Sequence, residues 1–491
     1  MEVKAITRKA INDISNNKRE IARLIRAASG IHVVAIMTAP LPCPGQCVYC
    51  FGGPEYGTPK SYLGDEPALM RAIQNNFHPY KQVNNRLNQY TELGHKPTKI
   101  ELIVMGGTFT SLSLNYQEWF IAQAIQSMND YPDYQPDKNV MLKNVMKENE
   151  SAQVRCIGIV IETRPDYAKE HHIDRMLNYG ATRVEIGVQT IYNDVLKLIK
   201  RGHTVGESIE ATRRLKDAGL KVGYHMMLAL PGNNPERDFE AFKRIFEDPQ
   251  FKPDMIKIYP TLVIEGSELY EWWKKGEYTP YDLDTTVKLI AKILSITPEW
   301  IRVMRIQRDV PATIITDGIK RSNLRELAEE ELKHMGKKCR CIRCREVGLK
   351  QLKQGITPDE FNIKLITRKY YASEGIEYFI SFEDPTTDTL IGFLRLRKPS
   401  NKAWRKEITE TETAVIRELH VYGIEAPIGE RLNISWQHRG YGSQLLSEAE
   451  KIAREELDAR KILVISGIGV KPYYRRMGYI DDGPYLSKKL T

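Results

Sequence analysis

Leu41-Pro42-Cys43-Pro44-Gly45-Gln46-Cys47-Val48-Tyr49-Cys50-Phe51-Gly52-Gly53-Pro54 sets three cysteines in C-x3-C-x2-C spacing. A short loop of this kind wraps three thiolates around three corners of a [4Fe–4S] cube, which ordinarily takes four cysteines. No fourth cysteine lies nearby. One iron would then keep an open coordination position, as catalytic metal sites do. Two plainer readings compete. A disulfide leaves an odd cysteine and needs an oxidising compartment. A zinc knuckle usually spaces its ligands as two separated pairs, unlike this compact triplet.

Upstream of the loop, 31–37 is apolar and reads as a buried strand. Apolar runs recur at 99–105, 156–161, 183–188, 221–230 and 255–259, with helix-like stretches such as 206–218 and 237–247 between them. Strand then helix, repeated about six times, predicts parallel β/α units. Their chemistry belongs on loops at the C-terminal ends of strands. The cysteine loop and Gly106-Gly107-Thr108 both follow a strand in this way. A cube with an open iron can chelate S-adenosylmethionine and pass it an electron. In this the cysteine segment resembles the radical S-adenosylmethionine (SAM) enzymes.

Such chemistry needs the cofactor held against the open iron. Gly106 and Gly107 would let backbone approach its methionyl amino group, although glycine pairs also mark plain turns. Glu162 and Arg164, in Glu162-Thr163-Arg164-Pro165-Asp166, and Gln189, in Gly187-Val188-Gln189-Thr190, sit at strand ends and are candidates for the cofactor's polar parts. Lys257, charged within an apolar strand, could neutralise the cofactor carboxylate or could simply snorkel from an edge strand. Lone Cys156 reads as a buried small hydrophobe.

A second cysteine group, Cys339, Cys341 and Cys344, stands among Lys337, Lys338, Arg340, Arg343 and Arg345. Such cations lower thiol pKa values, and three thiolates with His334 or a more distant residue suit structural zinc. Beyond it, 363–371, 376–383, 389–397 and 414–422 predict an antiparallel meander. Gln437, Arg439, Gly440, Tyr441 and Gly442 then lead into an amphipathic helix over 443–456, a glycine turn able to cradle a pyrophosphate. This turn resembles the acetyl-coenzyme A loop of the GCN5-related acetyltransferases. Tyr473 or Tyr474 could protonate a leaving thiolate or pack beneath the pantetheine arm. Glu418 and His420 are candidate bases, and Glu418 could equally serve a salt bridge.

The 491 residues suggest two to four domains. A hydrophobic content of 42% with 27% charged residues is ordinary for a globular protein. The charged opening Met1-Glu2-Val3-Lys4 predicts no signal peptide, and no apolar run is long enough to span a bilayer. Clustered cysteines then read as metal ligands in a reducing cytoplasm. Of the +9 net charge, one concentration lies in 1–30, with Arg8, Lys9, Arg19 and Arg23. Another lies in 302–350, with Lys320, Arg321, Lys337 and Lys338. Both suit a phosphate-rich macromolecule or, more plainly, solvated helix faces. The stretch 129–153 reads as a long exposed connection.

Taken together, Cys43–Cys50 with Phe51-Gly52-Gly53, Met105-Gly106-Gly107-Thr108-Phe109, the 162–166 and 185–190 segments, Arg201-Gly202-His203-Thr204 and His225–Gly232 resemble the catalytic third subunit of the Elongator complex in its archaeal form. The likeness covers nearly the whole chain. It implies an α/β fold: a partial (β/α)6 TIM-like radical SAM barrel joined by a zinc-binding hinge to an α+β acetyltransferase domain. Expected boundaries are 1–30 for a basic tRNA-binding segment, 31–310, 311–357 for the hinge, and 358–491. The resemblance further implies a [4Fe–4S] cluster, S-adenosylmethionine, acetyl-CoA and Zn2+ as cofactors. The implied reaction builds a carboxymethyl group at C5 of the wobble uridine in a tRNA anticodon stem-loop. A 5′-deoxyadenosyl radical would take hydrogen from the acetyl methyl, and thioester hydrolysis would release coenzyme A. Further Elongator-like subunits or a homo-oligomer fit the same resemblance. The competing functions are a protein lysine acetyltransferase with a scaffold first domain, and a non-enzymatic RNA-binding scaffold.

Overall fold

The structure is a computed structural model that describes residues 29–64, 66–136, 138–423, 436–437 and 439–490. The expected basic segment, with Arg8, Lys9, Arg19 and Arg23, lies outside the described residues except for Ser29 and Gly30.

The first strands are β1 (His32–Met37), β2 (Lys99–Met105), β3 (Arg155–Thr163), β4 (Ala181–Gln189), β5 (Lys221–Leu228), β6 (Met255–Pro260), β7 (Val263–Ile264), β8 (Arg302–Ile306) and β9 (Ile315–Asp317). Seven of them form one sheet in the order β1-β2-β3-β4-β5-β6-β8, parallel at every step. β7 and β9 pair with each other, apart from it. Helices make the crossovers, among them Leu114–Asp130 after β2, Val205–Asp217 after β4 and Pro235–Glu247 after β5. On Leu114–Asp130 the residues Phe120, Ile121, Ala124, Ile125 and Met128 recur at helical spacing and are fully or almost fully buried. Large side chains buried this way each contribute about 1.5–3 kcal/mol relative to exposure.

Two expectations change. The six strands read from the sequence gain a seventh, β8, whose Arg302 and Arg305 had hidden the buried Val303 and Ile306. The stretch 129–153 is not one open connection, because it contains the helix Leu142–Asn149 with Leu142, Val145 and Asn149 buried.

The C-terminal part is a second sheet of β10 (Lys364–Ala372), β11 (Gly375–Asp384), β12 (Thr389–Lys398), β13 (Thr413–Val421), β14 (Lys461–Val464), β15 (Ile480–Asp482) and β16 (Tyr485–Lys489), in the order β10-β11-β12-β13-β14-β16-β15. The meander β10 to β13 is antiparallel. β13 and β14 are parallel and pair only from Thr413 to Ile416. Beyond Ile416, β13 continues to Val421 against β12 alone, so the two parallel strands part. The helix Tyr441–Glu455 packs across β11, β12 and β13.

The two parts share one core. Val415, Leu463, Ile465, Ile468 and Tyr485 of the second part belong to the same apolar cluster as the barrel's Val184, Val222 and Ile256. Across that junction runs a buried ionic group. Arg417 grips Asp254 with two bonds of 2.7 Å and Glu377 at 2.8 Å. Arg397 holds Asp217 at 2.7 Å and Glu377 at 2.9 Å. Lys216 reaches Asp254 at 3.6 Å and Glu377 at 3.5 Å. All of these side chains are 0% exposed. Charges so buried hold only while each keeps its partners.

Candidate active site

Strand direction brings the expected residues together. The cysteine loop follows β1, Gly106-Gly107 follows β2, Arg164 follows β3 and Gln189 ends β4. Cys43, Cys47, Cys50, Gly106, Gly107, Glu162, Arg164, Gln189 and Lys257 all line one cavity of about 210 Å³ at the C-terminal mouth of the barrel.

Local backbone explains the glycines. Gly106 has φ +110° and Gly107 φ +62°. A Cβ on Gly106 would lie 2.3 Å from Thr38 Oγ1. Gln189 holds a left-handed φ of +67°, strain of the kind that collects at functional sites. Two polar atoms beside the cavity, Gln189 Oε1 and Arg164 Nη1, are buried without a hydrogen-bond partner. A polar ligand would satisfy them, and three thiols at one wall suit a metal cluster. The residues present thus fit a cluster with a polar cofactor on it.

The sequence reading missed several members of this site. Arg201 Nη1 donates to Cys47 Sγ at 3.3 Å. Burial raises the Cys47 pKa, but the charge and hydrogen bond of Arg201, with a Tyr49 hydrogen bond and the Arg164 charge, together hold the thiol below its ordinary value. Ser61 Oγ lies 3.0 Å from Cys50 Sγ, and Thr108 Oγ1 3.5 Å from Cys43 Sγ. Burial, then the neighbouring Cys47, pushes Cys50 up to about 11. Behind the cavity, Glu185 lies 2.7 Å from His225 Nε2 and 3.2 Å from Arg183, and Arg183 reaches Glu101 at 2.8 Å. Arg183 and Glu185 sit on alternate positions of β4, and their partners Glu101 and His225 lie on other strands. Only the recurrence of ionisable residues inside apolar runs could have signalled them.

Lys257 does not snorkel from an edge, since β6 lies between β5 and β8. Its ammonium sits 2.9 Å from Glu162 Oε1 and is ion-paired to Glu185. Glu162, Glu185 and His225 offer ligand atoms within 4.8 Å of one another, but Lys257 already supplies the cation between the two carboxylates. Burial disfavours the Glu185 charge, and Lys257 and His225 more than offset this, keeping the carboxyl well below its usual range.

Cys339, Cys341 and Cys344 have their sulfurs within 4.8 Å of one another. Tetrahedral thiolates on one zinc at 2.3 Å would be about 3.8 Å apart. Burial opposes ionisation of Cys341, yet hydrogen bonds from Cys339 and Cys344 bring its pKa well down. The structure does not bring His334 to them. Its side chain is 72% exposed at the end of its helix, 3.9 Å from Glu331. Among the described residues no other histidine or carboxylate joins the three sulfurs.

The basic stretch 302–350 divides between ion-paired side chains and exposed ones, the latter including Arg305 and Arg340. Arg302 pairs with Glu346 at 2.6 Å, Arg325 with Glu329 at 2.8 Å and Arg345 with Glu383 at 2.8 Å. Lys320, Arg321, Lys337 and Lys338 remain exposed, the last 3.1 Å from Asp388.

In the second sheet, Gly440 has φ +91° at the start of the helix Tyr441–Glu455. A Cβ on Gly442 would meet Tyr473 Oη at 3.4 Å, so that hydroxyl borders the glycine turn. Tyr474 is buried in the core instead. Arg439 pairs with Glu360 and lies over the Trp436 ring, and Tyr441 packs on Phe382. Gln437 ties the two parts together: it donates to Val421 O at 3.1 Å and accepts from Lys99 Nζ at 2.9 Å. Glu418 is bound to Arg395 at 2.9 Å. His420 Nε2 donates to Ser29 O at 2.9 Å, and burial lowers its pKa.

Comparison with known proteins matches residues 42–245 to the Radical SAM superfamily, 253–334 to the Radical_SAM C-terminal domain and 348–479 to the Acetyltransferase (GNAT) family. A tRNA uridine(34) acetyltransferase of Methanocaldococcus jannaschii is 52% identical over 471 residues, 95% of this chain and 86% of that protein. Elongator complex protein 3 of Saccharomyces cerevisiae is 47% identical over 480 residues, covering 96% and 85%. The solved structure of archaeal Methanocaldococcus infernus Elp3 with an N-terminal deletion superposes with TM-score 0.83 at 48% identity, over 94% of this chain and all of that one.

Proposed function

The chain belongs to the family of tRNA uridine(34) acetyltransferases and Elongator complex protein 3, and on that premise we propose that it builds a carboxymethyl-type group on C5 of the wobble uridine of tRNA. Membership implies a [4Fe–4S] cluster, S-adenosylmethionine and acetyl-CoA as cofactors. The observation that carries the reading is one cavity lined by three cysteines, a glycine pair and polar strand ends, on a barrel that shares its core with an acetyltransferase fold.

Bound there, the cluster and S-adenosylmethionine supply a carbon radical, and acetyl-CoA supplies the two-carbon unit. The chain's residues bind, orient and exclude water. Cys43, Cys47 and Cys50 would hold three irons. Gly106 and Gly107 would bring backbone against the sulfonium's amino acid, with Arg164 and Gln189 offering their unpartnered polar atoms to the rest. Glu162 lines the same cavity, held in place by Lys257. At the second site, the parting of β13 and β14 leaves room for a pantetheine arm, with Gly440 and Gly442 offering backbone N–H groups to the pyrophosphate. Tyr473, bordering that turn, is placed to hold a proton for a leaving thiolate.

Cys339, Cys341 and Cys344 would hold zinc, a staple between the two parts. Lys320, Arg321, Lys337 and Lys338 would meet RNA phosphates. An unpaired anticodon base can be splayed into the cavity. Among the described residues no helix is long and apolar enough to cross a membrane, which suits an enzyme working on tRNA in the cytoplasm. The test is Cys47→Ala in protein reconstituted without oxygen. Wild-type protein should cleave S-adenosylmethionine to 5′-deoxyadenosine and the variant should not; equal yields would defeat the assignment.

A further inference from the structure

Arg201 sits between the helices Asn193–Leu198 and Val205–Asp217. It is 8% exposed. Its Nη1 donates to Cys47 Sγ at 3.3 Å and its Nη2 to Gly187 O at 2.8 Å. Among the described residues, no carboxylate lies within ion-pair distance of it. A buried guanidinium without a counter-charge is costly, so the Cys47 sulfur serves as its anion.

The turn that presents Arg201 is pinned. Thr204 and Glu207 form a reciprocal capping box, with Glu207 N donating to Thr204 Oγ1 at 3.2 Å and Thr204 N to Glu207 Oε2 at 2.7 Å. Arg164 is engaged by Asp166 through Nε and Nη2 at 2.9 and 2.8 Å, and Arg308 lies over the Phe51 ring; among the described residues neither donates a hydrogen bond to a cysteine sulfur. Burial, then Arg201 and Arg164, pushes His203 down to about 2, a sign of how positive this pocket wall is. The other two cysteine sulfurs have only neutral partners, Ser61 Oγ at Cys50 and Thr108 Oγ1 with Gly45 N at Cys43.

We propose that Arg201 is the positioning residue that sets the reduction potential of the cluster, through its charged N–H···S bond to Cys47. This rests on the cluster reading given above. Hydrogen bonds to sulfur and local net charge are the levers a protein has on such potentials. Reduction adds one electron and no proton, and no bond forms or breaks. A fixed cation at one ligand sulfur stabilises the reduced form more than the oxidised form, so Arg201 raises the midpoint.

The experiment is a midpoint titration followed by electron paramagnetic resonance, with reduced viologen mediators as electron donor and no S-adenosylmethionine. Wild type, Arg201→Gln, Arg201→Lys and Ser61→Ala are reconstituted without oxygen. Wild-type protein that binds no cluster refutes the functional reading itself, a different failure. With clusters loaded, Arg201→Gln should lower the reduced-to-oxidised ratio at fixed potential tenfold or more, about 59 mV for a one-electron couple. Arg201→Lys should restore most of it, and Ser61→Ala should shift it less, in the same direction. A fully loaded Arg201→Gln with the wild-type midpoint overturns the proposal. If Arg201→Gln cannot hold a cluster, wild-type protein carrying guanidino-15N arginine decides. Pulsed resonance should detect a 15N coupling to the reduced cluster, and its absence overturns the proposal.

Discussion

Replacing Asp254 by asparagine removes one negative charge from the ionic group that joins the barrel to the acetyltransferase sheet. Asp254 accepts two 2.7 Å bonds from Arg417 and a 2.8 Å bond from Val222 N, with Lys216 and Arg395 each 3.6 Å away. Breaking a fully buried pair by removing one partner costs about 3–5 kcal/mol. Asparagine keeps the shape and an acceptor for Val222 N, so about 3 kcal/mol is the expected loss. Unfolding entropy of about 2.1 cal/mol/K per residue makes the shift about 1 °C per kcal/mol for a unit of this size, so the melting temperature falls by about 3 °C. Burial raises the Asp254 pKa, but Arg417, Lys216 and Arg395 bring it well below the carboxylate range. A depressed carboxyl stabilises the fold at every pH above its unfolded value and loses the effect only as pH falls through the folded one. The deficit of the variant should therefore be constant between about pH 5 and 8. Scanning calorimetry of wild type, Asp254→Asn, Arg417→Met and the double variant measures it. The double variant should recover part of the loss, because no charge is left alone. A single variant melting with the wild type, or a double variant as poor as the sum of both, would refute the reasoning.

Three further outcomes are expected. Gly106→Ala, which forces a Cβ to within 2.3 Å of Thr38 Oγ1 at a φ of +110°, should cost about 1–3 kcal/mol in strain and weaken S-adenosylmethionine binding in calorimetric titration; unchanged affinity would count against the glycine cradle. His203 resists protonation down to about pH 2 when folded, while the unfolded chain takes the proton near 6.5. Stability should thus fall as pH drops below about 6.5, and His203→Gln should flatten that acid limb in thermal melts. Metal analysis should find one zinc per chain in wild-type protein and none in Cys341→Ser, with a lower melting temperature; zinc retained in the variant would remove Cys341 from the ligand set.

The sequence carried the fold where burial is apolar. The runs that became β1 to β6 are mostly apolar, as parallel strands covered by helices require, and are broken only by single ionisable residues such as Glu101, Glu185, His225 and Lys257. β8 was hidden because two of its five residues are arginines, Arg302 and Arg305, and the Glu346 that pairs with Arg302 lies 44 residues on. The helix Leu142–Asn149 was lost in a polar stretch for the same reason, since few of its side chains face the core. At the site, spacing identified Cys43, Cys47 and Cys50 and the glycine pair, because those are local features. Arg201, Glu185 and His225 stood inside quoted motifs, but their roles come from contacts spanning tens of residues and were not legible there. His334 shows the converse: close spacing placed it beside the cysteines, yet its helix turns it to solvent.

The most direct measurement gives the reduced, cluster-loaded protein S-adenosylmethionine, acetyl-CoA labelled with 13C in both acetyl carbons, and unmodified tRNA. The tRNA is then digested to nucleosides for mass spectrometry. A wobble uridine carrying a two-carbon acid with both labels, dependent on both cofactors, is the predicted product. Labelled lysine on the protein and unaltered uridine in the tRNA would contradict the account at its root.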